Sequence, residues 1–163
     1  MDGKFTVCII DDDNDFRKSL AWLLERHKFD VLQFSSASEF LEGSPPETGC
    51  VVTDVRMPEM TGLELQKELV DRKIDLPIIV ITGYGDIEMA VEAMRMGALD
   101  FIEKPFAPRI LAARLGNLLA RAQAERDAAA LAAELERYVS SAVVQQLRDR
   151  RAADPTTERV AAA

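Results

Sequence analysis

A chain of 163 residues, 48% of them hydrophobic, has room for one domain with a sizeable core and some extra length. No run of about 18 apolar residues occurs, so no membrane helix is predicted, and the N-terminal MDGKFTVCII lacks the apolar stretch and cleavage site of a signal peptide; the sequence reads as cytoplasmic, with no membrane partner. The formal net charge of −8 is uneven: residues 1–108 hold 11 Lys+Arg and 21 Asp+Glu, a net of −10, whereas residues 109–163 hold 9 and 7, a net of +2, so the acidic body is unsuited to non-specific nucleic-acid binding.

The predicted elements alternate along the chain. FTVCII (5–10) is short and β-branched, a strand. In DFRKSLAWLLERH (15–27), Phe16, Leu20, Leu23 and Leu24 fall at helical spacing. DVLQF (30–34) alternates as a strand does. SASEFLEG (36–43) opens with a Ser-x-x-Glu capping box, Ser36 to Glu39, and stops at Gly43. After the loop SPPETG comes the apolar strand CVVT, then an amphipathic helix over 61–73. LPIIVIT (76–82) is a fully apolar strand, 85–97 is a helix closed by Gly97, ALDFIE (98–103) is a fifth strand, and a last helix starts near Pro108. Cys8 and Cys50 lie inside apolar runs and read as buried core thiols in a reducing compartment, a disulfide between neighbouring strands being the less favoured alternative.

Strict alternation of strand and helix predicts a doubly wound α/β fold with a parallel sheet covered on both faces and right-handed crossovers. Ligands of such folds sit beyond the carboxyl ends of the strands. There the sequence places Asp11, Asp12 and Asp13 after strand 1, Asp54 after strand 3, Thr82 after strand 4, and Glu103-Lys104-Pro105 after strand 5. Each has a bland reading alone, because acidic triplets are usually solvated and Asp is a good turn residue. Together they converge on one sheet edge. Clustered carboxylates repel unless a cation neutralises them. An all-oxygen set without His or Cys selects Mg²⁺ (or Mn²⁺) over zinc. A carboxylate beside such an ion can attack phosphorus, and Thr82 and Lys104 are the residue types that new phosphoryl oxygens need.

The segments IIDDD, TDVRMPEMTG, ITGYGD and EKPF resemble, in register over about residues 4–120, the receiver domain of bacterial two-component response regulators. GYGDIEMAVEAM is most similar to the receivers of nitrogen-fixation and dicarboxylate-transport regulators. The resemblance implies a flavodoxin-like five-stranded sheet of order 2-1-3-4-5, for which the receiver fold is itself a standard example. It implies Asp54 as phosphoacceptor, Asp11 and Asp12 as the acidic pair on Mg²⁺ together with Asp54 and the backbone carbonyl of Arg56, Thr82 and Lys104 as phosphate partners, a cis Lys104-Pro105 bond, and Asp13 as a solvated neighbour of the pair. It also implies a switch of Thr82 and Phe101, for which plain core packing of Phe101 is an equal alternative. The implied partners are a histidine kinase or phosphotransfer protein and a downstream protein, with phosphorylation-dependent homodimerisation through the helix 4–strand 5–helix 5 face. Met89, Met94 and Met96 suit an adaptable surface there, although some of them, Met94 among them, can instead fill core.

The tail is rich in Ala, Leu, Arg and Glu. Leu131, Leu135, Tyr138 and Ala142 step by four, three and four, a coiled-coil seam continued upstream by Ala124 and Ala128 and broken at Arg121. The expected organisation is a receiver over 1–122, a helical coiled-coil extension over 123–151 and a disordered tail over 152–163, with the helix broken at Pro155. Neither a P-loop nor a basic helix-turn-helix is present, so direct DNA binding is not expected of this chain. LERYVSSAVVQQL is faintly similar to the linker preceding class III nucleotide cyclase domains. The main reading is a phosphoacceptor switch working by protein contact, with no enzyme activity beyond self-phosphotransfer and slow autodephosphorylation. The alternative is the receiver portion of a transcription regulator or nucleotide cyclase. A Mg²⁺-dependent phosphohydrolase is disfavoured, because Asp-x-Asp is absent at Asp54.

Overall fold

The computed structural model describes residues 5–83 and 87–153. Its elements run β1 (Thr6–Ile10), α1 (Asn14–Arg26), β2 (Asp30–Phe34), α2 (Ala37–Glu42), β3 (Gly49–Asp54), α3 (Gly62–Asp71), β4 (Ile78–Thr82), α4 (Ile87–Arg95), β5 (Asp100–Glu103) and α5 (Pro108–Ala153). The five strands form one sheet in the order β2-β1-β3-β4-β5, and every neighbouring pair is parallel. The doubly wound architecture of order 2-1-3-4-5 is therefore as expected. The chain forms two compact units, Met1–Ala120 and Arg121–Ala163.

Strand alternation divides the core into two layers. On one face Cys8, Ile10, Val51, Ile78 and Val80 pack with Phe40 and Leu41 of α2, Leu65 and Leu69 of α3, and Ala93 of α4. Their alternating neighbours Val7, Ile9, Cys50, Val52, Ile79 and Ile81 are buried on the other, with Leu20 and Leu24 of α1 and Leu111 and Leu115 of α5. Cys8 pairs in register with Val51 and Cys50 with Val7, so the two thiols point to opposite faces. Both are free, and the neighbouring-strand disulfide does not form. Burial pushes the Cys8 thiol up to about 11 and Cys50 to about 12, which keeps both protonated and inert.

Coverage of the sheet is less even than the apolar runs predict. β1, β3 and β4 are buried along nearly their whole length, whereas the edge strand β2 exposes Asp30, Leu32 and Gln33, and β5 exposes Phe101 and Glu103. An edge strand has a neighbour on one side only, so its outer rim stays wet.

Local signals set the helix starts. Asp13 caps α1, its Oδ1 accepting from the N–H of Asp15 and Phe16 at 3.0 Å each. Ser36 caps α2 by accepting from Glu39 N, but the carboxylate of Glu39 accepts from the N–H and hydroxyl of Ser35 instead. The predicted capping box is thus displaced by one residue. A reciprocal box is present at α3, between Thr61 and Glu64. At the end of α4, Gly97 has φ +97, and the N–H of Ala98 reaches back to Ala93 O at 2.9 Å; a left-handed residue there favours glycine. α5 continues to Ala153, slightly beyond the predicted 151, while the predicted break at Pro155 and the tail after it lie outside the described residues.

Candidate functional site

The parallel register brings the carboxyl ends of four strands to one edge. Asp11 directly follows β1, Asp54 and Thr82 are the last residues of β3 and β4, and Lys104 directly follows β5. Asp54 is in register with Ile81, and Thr82 with Glu103. Asp11 is 1% exposed and Thr82 2%; Asp12 and Asp13 face solvent. Carboxylate oxygens of Asp11, Asp12 and Asp54 lie within 4.8 Å of one another. The ammonium of Lys104 stands 3.4 Å from Asp11 Oδ2 and 3.8 Å from Asp54 Oδ2.

Several backbone contacts hold this arrangement. Lys104 N donates to Thr82 O at 2.8 Å, Val55 N to Ile81 O at 3.1 Å, and Asp11 N to Phe34 O at 3.2 Å. Asp13 N donates to Asp11 Oδ1 at 2.9 Å, and the Arg17 guanidinium to Asp11 O at 2.6 Å. The Lys104-Pro105 bond is cis, as the resemblance implied. The loop after Asp54 closes on itself: Gly62 N donates to Val55 O at 2.9 Å, and Met60 N to Pro58 O at 2.8 Å around Glu59, which has φ 68. That left-handed, non-glycine residue forms a tight turn of the rare and strained kind. Gly62 also lies against Asp54: a Cβ added there would stand 2.4 Å from Asp54 O. No larger residue fits without moving the strand end.

Burial raises the pKa of Asp54; Lys104 opposes this, Asp11 adds to it, and the backbone N–H groups of Val55 and Arg56 lower it. Asp11 is also raised, chiefly by burial, against lowering contributions from the Asp13 N–H and from Lys104. Three carboxylates and one ammonium leave an excess of negative charge. A hard divalent cation with octahedral oxygen ligands matches that donor set.

The structure thus brings Asp11, Asp12, Asp54, Thr82 and Lys104 to one edge. Arg56 lies two residues past Asp54 with an exposed side chain. Phe101 is 38% exposed, so it is not plain core, and it stands on the β5 edge. Met89 packs against the core and Met94 is exposed, which reverses the suggestion that Met94 fills core. The GYGD segment falls partly outside the described residues. Sequence reasoning passed over Phe16, whose ring centroid lies 3.9 Å from Lys104 Nζ, and Arg17. In the sequence Phe16 stands out only as part of an apolar helix stripe.

A doubly wound sheet with this acidic edge is the signature of the receiver class, and a family model described as response regulator receiver domain matches residues 7–116. The chain belongs to this family, whose members act in two-component phosphorelay signalling. It is 46% identical over 154 residues to transcriptional regulatory protein FixJ of Rhizobium meliloti (strain 1021), covering 88% of this chain and 76% of that protein. It is 47% identical over 122 residues to the C4-dicarboxylate transport transcriptional regulatory protein DctD of the same organism, covering 74% of this chain and 26% of that protein. The nitrogen-fixation and dicarboxylate-transport resemblance therefore holds. Among solved structures, the crystal structure of FixJ-N is 51% identical with a TM-score of 0.64, over 66% of this chain and 87% of that one. Full-length FixJ from B. japonicum is 40% identical with a TM-score of 0.69, over 85% and 68%. Among the described residues no helix is long and apolar enough to cross a membrane.

Proposed function

We propose that Asp54 is the phosphoacceptor of this receiver and that its phosphorylation switches protein–protein contacts. The observation that carries this is the placement of Asp54 at the end of β3, in a cluster of three carboxylates, with the Lys104 ammonium 3.8 Å away. A carboxylate oxygen of Asp54 forms the new O–P bond as the P–N bond of a phosphohistidine donor breaks; the electron pair stays on the imidazole nitrogen. The donor is a histidine kinase or phosphotransfer protein. Asp11, Asp12, Asp54 and the Arg56 carbonyl would hold Mg²⁺ (or Mn²⁺), which when bound neutralises charge on the transferring group. Lys104 sets a positive charge where the phosphoryl oxygens arrive, and the Thr82 hydroxyl donates to them. The chain performs this self-transfer and slow hydrolysis and no other catalysis.

The switch we assign is a population shift on the α4–β5–α5 face of the first unit, with Thr82 drawn toward the phosphoryl group and Phe101 moving into the space behind it. The exposure of Phe101, Val91, Met94 and Leu99 supports this face as the one that meets a second copy or a downstream protein. We assign the receiver to 1–122 and a dimerising helix to 123–151, where Leu131, Leu135 and Tyr138 are exposed. Val139, Val143 and Leu147 are exposed as well, which broadens the apolar stripe beyond the seam read from the sequence.

Incubation with acetyl phosphate and Mg²⁺ should add one phosphoryl group, located by mass spectrometry at Asp54, and Asp54→Asn should take up none. An adduct on another residue would sink the assignment. A second reading, the receiver portion of a transcription regulator, is favoured by the names of the relatives and by the 76% of R. meliloti FixJ that the match spans. A phosphorylation-dependent gel shift by this chain alone would instead show a DNA-binding output within it; none is expected.

A further inference from the structure

The geometry points to Phe16 as a positioning residue for Lys104, its ring holding the ammonium between the two buried-edge carboxylates of Asp11 and Asp54. This rests on the reading of Asp54 and Lys104 given above. Lys104 Nζ lies 3.9 Å from the centroid of the Phe16 ring, and 3.4 Å from Asp11 Oδ2 and 3.8 Å from Asp54 Oδ2. A cation is attracted to the face of an aromatic ring by the ring quadrupole, more strongly as water is removed.

The ring is itself fixed from two directions. Phe106 meets it edge-on, centroids 6.3 Å apart and planes at 78°, a favoured aromatic geometry. Its backbone N–H is held by the Asp13 carboxylate at 3.0 Å, so the first turn of α1 and the cap that starts it set where the ring stands. Lys104 is anchored through its own N–H on Thr82 O. The flexible stem of a lysine therefore has fixed points at both ends. Long lysine side chains otherwise sample many rotamers, and an ammonium placed in advance stabilises developing charge without reorganising during transfer. Asp13, read from the sequence as a solvated neighbour of the acidic pair, acquires a part in this chain of contacts through its cap.

The test uses the full chain. In wild type, the ε-methylene protons of Lys104 should show an upfield ring-current shift by NMR. Phe16→Leu should return them toward the ordinary lysine position, and Phe16→Tyr should restore the shift. The initial rate of phosphoryl uptake from acetyl phosphate, followed by intact mass, should fall about threefold to tenfold in Phe16→Leu and recover to within about twofold in Phe16→Tyr. Should Phe16→Leu fail to fold, Phe16→Met removes the ring with similar bulk. A Lys104 signal unmoved by loss of the ring, or an uptake rate unchanged although the signal moves, would overturn the proposal. If wild type takes up no phosphoryl group at Asp54, the underlying reading fails and the positioning role with it, while the ring-current shift still reports the contact separately.

Discussion

Asp54 and Asp11 are carboxylates whose folded-state pKa values lie above the ordinary 3.8, with burial as the largest cause. A raised folded-state pKa means that the native fold binds the proton more tightly than the unfolded chain does. The associated stabilisation is complete below 3.8 and is lost as pH rises through the folded-state value. The ionised form of each group costs the fold, and this cost is relieved by a bound cation or by removing one charge. Asp54→Asn should therefore raise Tm at pH 7 without Mg²⁺ by a few degrees, the shift that about 1 kcal/mol gives in a domain of this size. Added Mg²⁺ should raise the wild-type Tm more than that of the variant, and the gap between the two proteins should close as the pH is taken below about 4. Thermal melts at several pH values check this; a variant less stable than wild type at pH 7 would contradict the charge argument. The site residues were legible in the sequence because each sits at the end of an apolar run, where strand and chemistry announce each other. Phe16 was not, because its partner Lys104 comes from the far end of the receiver and nothing local marks a ring for that contact.

At the scale of elements, the alternation and positions of strands and helices were readable from apolar periodicity, and the strand order followed from the family resemblance, while the details of the caps were not readable. Ser36 and Thr61 both begin a Ser/Thr-x-x-Glu pattern, yet only Thr61 closes the reciprocal box, since Glu39 finds both an N–H and a hydroxyl on Ser35. A pattern cannot tell which of two adjacent serines wins. The box at Thr61 lies beside the loop that leaves Asp54, so Thr61→Ala is expected to lower stability by about 1 kcal/mol, measured by urea unfolding, with amide exchange rising first at the start of α3. The neighbouring helix α4 is held more lightly. α4 buries only Ala90 and Ala93 fully among its described residues, and Gln66 of α3 donates to Ala93 O at 3.2 Å. Two methyl groups, a partly buried Met89 and one amide contact bury little apolar area for a helix, which suits a helix that must shift between two packings. The even coverage expected of the sheet failed at β2 and β5 because apolar content alone does not say which strands lie at the edges.

At the scale of the molecule, the first unit is acidic and the second carries an apolar stripe on a helix among whose described residues the large hydrophobics are exposed. Replacing Leu131 and Leu135 together with Asp places charge on that stripe without touching the receiver core. It should leave phosphoryl uptake at Asp54 unchanged and weaken self-association at least tenfold, about 1.4 kcal/mol, by analytical ultracentrifugation; equal dimer affinity in the two proteins would show that the stripe is not used. The receiver's chemistry has a different dependence on the whole. Its groups are delivered by β1, β3, β4 and β5, which are adjacent in the sheet but not in the chain. The functional edge is thus a tally of completed strand pairing. A split pair of fragments, cut in the loop between α3 and β4, would regain phosphoryl uptake only on complementation, so covalent labelling of one aspartate would serve as a reporter that the entire sheet had been rebuilt.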